Sequence, residues 1–276
     1  MDSATSQTEQ GLVESAKSGD RRALERLLAR YQPHIYRFGM KMCGDPEDAK
    51  DVLQETMLAV ARNVRDFRGG SSVTTWLYSI ARSFCIKKRR RSKFAPQHEA
   101  SLDSSDGQRE ARAVPDKARG PDEELAGRQI EAALAGAIGE LAPMYREVLV
   151  LRDVEGLSAP EVAEVLGISV EAVKSRLHRA RVSVRNHVAP LLGVGAQSPK
   201  CPDVVTLLSK HMEGEISADV CAEMERHLAS CPGCRGACDS LRSTLALCRG
   251  TPEPKVPGAV QESVRMAVES FLTSKS

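Results

Sequence analysis

Three residues near the C-terminal end of the sequence have the spacing of metal ligands. In "HLASCPGC", His227 and Cys231 are four residues apart, so on a helix they project from the same face. The Pro232-Gly233 pair favours a tight turn that brings Cys234 back toward them. With Cys201 as a distant fourth ligand, the pattern is C-x25-H-x3-C-x2-C. One imidazole and three thiolates suit tetrahedral zinc, so the sequence predicts a single Zn²⁺ ion held by these four residues.

The other cysteines have less specific settings. Cys43 and Cys85 are isolated in the sequence and are interpreted as packing residues. Three more cysteines and a histidine lie close to the predicted zinc ligands. Either the cysteines fill apolar positions and the histidine is a surface residue, or the group forms a second metal or thiol sensor. Both interpretations stay open for Cys221, Cys238, Cys248 and His211.

A basic segment in the first third of the chain has a composition suited to nucleic acid. Half of the residues in "ARSFCIKKRRRSKF" (81–94) are Lys or Arg, and Phe84 and Phe94 lie among them. Cations attract the phosphate backbone, and aromatic rings can stack on unpaired bases. A solvated charge run is the simpler alternative, and Trp76 just upstream is better explained as a core residue.

The most specific motif is "GLSAPEVAEVLGISVEAVKSRLHRAR" (156–181). Ser158 and Glu161 form a capping-box pair, Gly167 suits a left-handed helix end, and Ser169 can cap the next helix. Apolar residues recur along that second helix from Val173, with basic residues flanking or opposing them. This is the pattern of a helix-turn-helix whose second helix enters the major groove of DNA.

Composition limits the remaining choices. The chain has 276 residues, 4% aromatic and 28% charged, which favours helical domains with aliphatic cores. A net charge of only +2 means that binding to nucleic acid depends on local patches. No long apolar run and no signal-peptide pattern is evident, so the expected location is cytoplasmic, without membrane association. Thiols stay reduced there, which favours metal or redox chemistry over a disulfide framework for the six cysteines within 201–248.

Periodicity and composition divide the chain into five parts, and the fold class expected is all-α. Two helical domains are joined by a flexible linker that contains several prolines and glycines. A small zinc-stabilised helical module and a tail with a short helix follow. The predicted boundaries are 10–92, 93–128 (linker), 129–190, 200–248 (zinc module) and 249–276 (tail).

These motifs together resemble an extracytoplasmic-function (ECF, group IV) sigma factor of the sigma-70 family. "EDAKDVLQETMLAV" resembles the region 2 helix that docks on RNA polymerase, and "FRGGSSVTTWLYSIARSFCIKKRRR" resembles the segment that melts and recognises the −10 element. "LAPMYREVLVLRDVEGLSAPEVAEVLGISVEAVKSRLHRAR" resembles region 4, which recognises the −35 element. "CPDVVTLLSKHMEGEISADVCAEMERHLASCPGC" resembles the zinc-binding anti-sigma module, here fused to the sigma domains.

The resemblance implies three sets of contact residues. Polymerase docking would involve Asp48, Asp51, Gln54 and Glu55. Contacts with the −10 element would involve Phe67, Arg68, Ser71, Ser72, Thr74, Arg82, Lys87, Lys88, Arg89 and Arg90. Contacts with the −35 element would involve Ser169, Glu171, Lys174, Ser175, Arg176 and Arg179.

The predicted function is therefore that of a sigma factor, not an enzyme. It binds core RNA polymerase through the β′ and β subunits, directs promoter-specific initiation, and is regulated in cis by its C-terminal zinc or thiol module. A stand-alone helix-turn-helix regulator is the alternative, but it leaves the docking helix and basic segment unexplained. A zinc enzyme is disfavoured because four protein ligands leave no open position for water. A further anti-sigma factor acting in trans stays open, as do the inducing signal and the sign of the module's effect.

Overall fold

The computed structural model describes residues 9–94, 121–193, 200–251 and 254–273. Within these ranges the chain forms helices and turns and contains no β-strand, which confirms the all-α prediction. Most of the predicted linker lies outside the described residues. Its two ends are helical, because one helix extends to Phe94 and the next begins at Pro121.

The first unit is a four-helix domain in which side chains cap the starts of two helices. The side chain of Asp45 accepts a hydrogen bond from the backbone N–H of Asp48, and the Ser72 hydroxyl accepts one from that of Thr75. Its core is formed mainly by aliphatic and aromatic residues of the second, third and fourth helices. The helices are α1 (Glu9–Lys17), α2 (Arg21–Cys43), α3 (Pro46–Asn63) and α4 (Val73–Phe94).

The second unit contains the helix-turn-helix. Ser158 and Glu161 form the predicted capping box, Gly167 adopts φ 66°, and Ser169 caps the recognition helix. Val173, one of the predicted core positions along that helix, is fully buried. The helices are α5 (Pro121–Glu140), α6 (Pro143–Leu149), α7 (Ala159–Leu166) and α8 (Val170–Val188), with a wider helical turn at Val150–Val154.

The third unit packs against both of the others. Its small core includes Cys238, which is fully buried among apolar side chains, as the packing interpretation expected. Helices α9 and α11 contact α8, and α12 lies along α3 with Val260, Val264 and Val268 buried. The helices are α9 (Val204–Met212), α10 (Ala218–Ser230), α11 (Pro232–Arg249) and α12 (Gly258–Thr273). No helix in the described ranges is long and apolar enough to cross a bilayer.

Candidate nucleic-acid interface and metal centre

The N-terminal half of α8 presents an open polar surface. Ser169, Glu171, Ser175 and Arg179 are exposed, and two further predicted contact residues, Lys174 and Arg176, are half-buried. The Arg179 guanidinium lies 3.2 Å from the Tyr145 hydroxyl of α6. All six side chains predicted for the −35 element thus lie along one accessible stretch at the start of the recognition helix, where a major-groove helix contacts base edges.

The C-terminal half of α8 is covered by the third unit, which corrects the expectation of a basic flank there. Arg181 is only 1% exposed. Its guanidinium donates two hydrogen bonds to Asp153, of 2.8 and 2.7 Å, and one of 2.8 Å to Glu213. Burial lowers the pKa of Arg181, but the two carboxylates more than offset this, and the net shift is upward. Arg181 is therefore a structural cation and is not available to DNA in this arrangement.

We expect Arg181→Ala to destabilise the chain by about 3–5 kcal/mol, because it leaves the fully buried Asp153 carboxylate without its counter-charge. Arg242→Ala is the matched control, since its ion pair with Asp239 is exposed and is expected to be worth about 0–1 kcal/mol. Denaturant unfolding followed by circular dichroism measures both. Equal losses of stability in the two variants would contradict the structural role.

Acidic residues after α9 bind the basic face of α8. The His178 ring contacts the Ser209 hydroxyl at 2.9 Å through Nδ1 and the Glu215 carboxylate through Nε2. Arg185 donates a 2.7 Å hydrogen bond to the Ser240 hydroxyl of α11. Glu213 and Glu215 flank Gly214 at φ 69°, which allows the tight turn between them. The third unit thus places the Glu213 carboxylate on the Arg181 guanidinium and the Glu215 carboxylate on the His178 ring.

Several residues predicted for the −10 element contact the second unit. Arg82 and Arg89 donate hydrogen bonds of 3.1 and 2.8 Å to the two carboxylate oxygens of Glu147 on α6. Ser72 contacts Glu161 of α7 at 3.3 Å. The remaining predicted side chains of this set lie on the surface or are half-buried, and Lys87 and Arg90 are exposed.

The loop before α4 combines aromatic and hydroxyl side chains. The Phe67 ring lies 5.0 Å from the ring of Trp76, centroid to centroid. The Thr74 hydroxyl is 3.2 Å from that of Tyr31, whereas Arg68 is exposed and Ser71 is half-buried. Trp76 is also half-buried, so it closes the edge of the core and supports Phe67.

A second contact between the first two units was not foreseen from the sequence. Arg37 of α2 donates hydrogen bonds of 2.8 and 2.6 Å to both carboxylate oxygens of Glu155, and the Tyr78 hydroxyl donates one of 2.6 Å. Burial raises the pKa of Glu155, but hydrogen bonds with His34, Arg37 and Tyr78 lower it by more. The net shift of the pKa is downward, so the carboxylate is charged. An Arg–Glu pair separated by 118 residues has no local sequence signal.

The predicted docking helix α3 has exposed acidic residues and also packs against α12. Asp51 and Glu55 are exposed, although Lys88 forms ion pairs with Asp51 and with Asp48, the latter at 3.2 Å. Gln54 is half-buried. Helix α12 runs beside α3.

The C-terminal end of α12 is fixed by two contacts. The Arg62 guanidinium of α3 lies 5.4 Å from the centroid of the Phe271 ring, and Arg21 of α2 pairs with Glu269 at 3.5 Å.

The four predicted metal ligands converge. The ligand atoms of Cys201, His227, Cys231 and Cys234 all lie within 4.8 Å of one another. The Cys201 and Cys231 sulfurs are 3.8 Å apart, and His227 Nε2 is 3.1 Å from the Cys234 sulfur. Ligands about 2.0–2.3 Å from a tetrahedral zinc ion lie about 3.5–3.8 Å apart, so the donor set fits this metal.

Local structure explains how the ligands meet. Cys231 ends α10 and begins α11 in an extended conformation, and its backbone N–H donates a 3.0 Å hydrogen bond to the His227 carbonyl. Pro232 then starts α11, which turns Cys234 into the cluster, where it is fully buried. Elsewhere in the module, His211 Nδ1 lies 3.5 Å from the Cys221 sulfur. Among the described residues, only the cluster of Cys201, His227, Cys231 and Cys234 brings three or more metal-ligating groups together.

Comparison with protein families gives three matches in chain order. Residues 27–94 match "Sigma-70 region 2", residues 131–184 match "Sigma-70, region 4", and residues 201–235 match a family described as "Putative zinc-finger". The region 2 match accounts for the docking helix and basic segment that a stand-alone helix-turn-helix regulator would leave unexplained.

Two sigma factors of other bacteria are similar to this chain over almost their whole length. The RNA polymerase sigma-H factor of Pseudomonas aeruginosa is 32% identical over 192 residues, covering 68% of this chain and 97% of that protein. The ECF RNA polymerase sigma factor SigW of Bacillus subtilis is 27% identical, covering 65% and 96%. A solved structure, of CnrH in complex with the cytosolic domain of CnrY, covers 68% of this chain and 99% of that chain at 28% identity, with a TM-score of 0.47.

The chain therefore belongs to the sigma-70 family of RNA polymerase sigma factors. Within that family it is an ECF-type sigma factor, and it carries a zinc-finger-like anti-sigma module C-terminal to region 4. The resemblance of the sequence motifs to this family is confirmed.

Proposed function

We propose that this ECF sigma factor binds core RNA polymerase and promoter DNA, and that its C-terminal module and α12 hold it in a closed, inactive arrangement. The observation that carries the proposal is the direct contact between region 2 and region 4 through Arg37–Glu155 and Arg82–Glu147. Promoter elements at −10 and −35 are about 25 base pairs, or about 85 Å, apart. Two units joined by hydrogen bonds of about 3 Å cannot contact both elements at once.

The pairing of the predicted DNA-binding residues supports the same proposal. Arg82 and Arg89 would contact the backbone of the melted −10 strand, and in the closed arrangement Glu147 takes both guanidinium groups. Opening would release these cations for phosphate binding. The flipped −10 base would be held by the segment that runs from Phe67 to Thr74 in the first turn of α4, as an extruded base is recognised on its Watson–Crick edge.

Polymerase docking would use the exposed edge of α3. Asp48, Asp51, Gln54 and Glu55 would contact the β′ subunit, with the β subunit also involved in the holoenzyme. Helix α12 lies along the same helix, and three of its valines are buried. We therefore propose that α12 must leave before core polymerase docks fully.

The metal of the third unit is proposed to be one zinc ion, held by Cys201, His227, Cys231 and Cys234. Bound there, the ion would fix the positions of α10 and α11 and the start of the module, and a closed four-ligand site has a structural and not a catalytic role. The module in turn positions Glu213 and Glu215 on α8. The cis-inhibitory effect proposed for the module thus depends on its folding.

Lys174→Ala and Arg176→Ala test the assignment of the −35 surface. In a chain that ends at Gly193, transcribing with core polymerase, removal of a side chain that binds a base is expected to cost about 1–3 kcal/mol of discrimination at the −35 element. Removal of a side chain that binds only phosphate would weaken all promoters alike. Run-off transcription from promoters with matched and mutated −35 elements separates the two effects.

Arg185→Ala in the same truncated chain is the matched control, because Arg185 lies in the last turn of α8, beyond the residues predicted to contact the −35 element. It should leave −35 discrimination unchanged. Specific initiation without core polymerase, or unaltered −35 use in both test variants, would refute the proposed function and the assigned surface respectively.

A further inference from the structure

Two cysteines that are 42 residues apart in sequence meet inside region 2. Cys43 is the last residue of α2, Cys85 lies in the middle of α4, and their sulfur atoms are 3.8 Å apart. Both thiols are free. Both pack in or against the region 2 core, as the packing interpretation expected. Their contact with each other was not foreseen, because it depends on how α2 and α4 pack.

The two thiols differ in environment. Cys43 is half-buried, whereas Cys85 is fully buried. The sulfur contact with Cys85 lowers the pKa of Cys43, and the nearby cations of Arg89 and Lys88 add to the shift, against burial and the Asp48 carboxylate. The same contact and burial raise the pKa of the Cys85 thiol. This combination, a reachable low-pKa thiol beside a second cysteine, is typical of redox-sensitive sites.

Metal binding does not explain the pair. No third His, Cys, Asp or Glu ligand joins these two sulfurs within the described ranges, where the only cluster of three or more such groups is the one around Cys201. Two sulfurs in direct contact with no metal partner are suited to forming a bond with each other.

We propose that Cys43 and Cys85 form a reversible disulfide in region 2 when the chain meets a hydroperoxide. The Cys43 thiolate attacks the peroxide oxygen, the O–O bond breaks, and Cys43 becomes a sulfenic acid while hydroxide leaves and takes up a proton to form water. The Cys85 sulfur then attacks the sulfenic sulfur, forming the S–S bond and releasing a second water with the Cys85 proton. Two thiols are oxidised by two electrons, and hydrogen peroxide is reduced to two waters.

The bond would join the two helices of region 2 that contact region 4. Helix α2 carries Arg37, which binds Glu155, and α4 carries Arg82 and Arg89, which bind Glu147. Oxidation would link the C-terminal end of α2 covalently to α4, and so would fix the relative positions of the two helices that contact region 4. The site is separate from the zinc-ligand cluster and stands independently of the proposed cis-inhibition.

Peptide mapping of the full-length protein tests the proposal. The native chain is treated with hydrogen peroxide, quenched with acid, alkylated and digested with trypsin. Cleavage at Lys and Arg releases Cys43 in MCGDPEDAK (42–50) and Cys85 in SFCIK (83–87). We expect a species with the summed mass of the two peptides less two hydrogens, and we expect dithiothreitol to restore both thiols.

Variants separate the role of Cys43, which attacks the peroxide, from that of Cys85, which attacks the sulfenic acid. Cys43→Ser should leave Cys85 reduced because it is buried, and Cys85→Ser should leave Cys43 as a sulfenic acid that dimedone traps. Cys248→Ser is the matched control, since Cys248 is as fully buried as Cys85 but lies in α11. This variant should retain the Cys43–Cys85 cross-link. If wild-type protein gives no linked peptide while Cys43 proceeds to sulfinic acid, the proposal is overturned, and this result does not depend on any variant folding.

Discussion

A chain that ends at Gly193 is expected to bind core RNA polymerase about tenfold or more tightly than the full-length chain, and to initiate transcription in proportion. The truncation removes both α12 from the flank of α3 and the acidic residues from α8. Each buried valine of α12 contributes about 1.5–3 kcal/mol to its docking before entropy costs. A net preference of only about 1.4 kcal/mol for the closed arrangement lowers apparent affinity about tenfold. Binding is measured by fluorescence anisotropy with core polymerase, and activity by run-off transcription.

Two point variants in α12 refine this test without removing the module. Val264 is 1% exposed against α3, so Val264→Asp buries a carboxylate and should release α12. Met266 is 55% exposed on the same helix, so Met266→Asp should leave polymerase affinity unchanged. Full-length protein that binds core polymerase as tightly as the truncated chain would show that the closed arrangement does not inhibit docking. Weaker binding by the truncated chain would show that the module assists it.

The parts of the structure that were predictable from sequence are those with local causes. Ser158, Glu161 and Gly167 act on backbone groups within a few residues, so their types and spacing determine where α7 starts and stops. The metal cluster was also predictable, because three of its ligands lie within eight residues and share one helix end. Cys201 lies farther away, but few residue types can complete such a site.

The contacts that close the molecule have no such local signal. Glu147 on α6, and Asp153 and Glu155 in and after the helical turn that follows it, resemble ordinary charged residues, and nothing near them in sequence indicates a distant arginine. Their partners are decided by which helix faces meet, and that depends on the packing of the whole chain. The sequence pattern therefore predicted the basic residues of α4 and α8, whereas their neutralisation by carboxylates of other units became evident only from the structure.

The burial of Arg181 illustrates the same limit. It belongs to the basic residues that flank the apolar positions of the recognition helix, and the structure pairs it with Asp153 and Glu213. A charge pattern along one helix indicates which faces are polar. It does not indicate whether solvent, DNA or another part of the chain covers them.

Cys231→Ser should remove the metal, the helicity of the C-terminal module and its inhibitory effect together, while regions 2 and 4 stay folded. Structural zinc sites contribute about 10–16 kcal/mol of apparent folding free energy in small peptides, more than a module of this size gains from its core. Serine is a favourable N-cap and Cys231 occupies the N-cap position of α11, so the substitution preserves the helix start. Loss of helicity would therefore report on the metal. Elemental analysis measures zinc, and circular dichroism measures helicity.

The matched control for the zinc site is Cys221→Ser. Cys221 lies in the same module, half-buried, and its sulfur contacts His211 and not the four-ligand cluster. This variant should keep one zinc per chain and wild-type helicity. The Cys231→Ser protein should also initiate transcription more strongly than the wild-type full-length chain, since an unfolded module cannot hold α8, but less strongly than the chain that ends at Gly193, since α12 remains. Stoichiometric zinc in purified Cys231→Ser protein would mean that the ligand set is wrong. If the variant loses zinc but transcription stays repressed, the metal has only a structural role and α12 alone accounts for the repression.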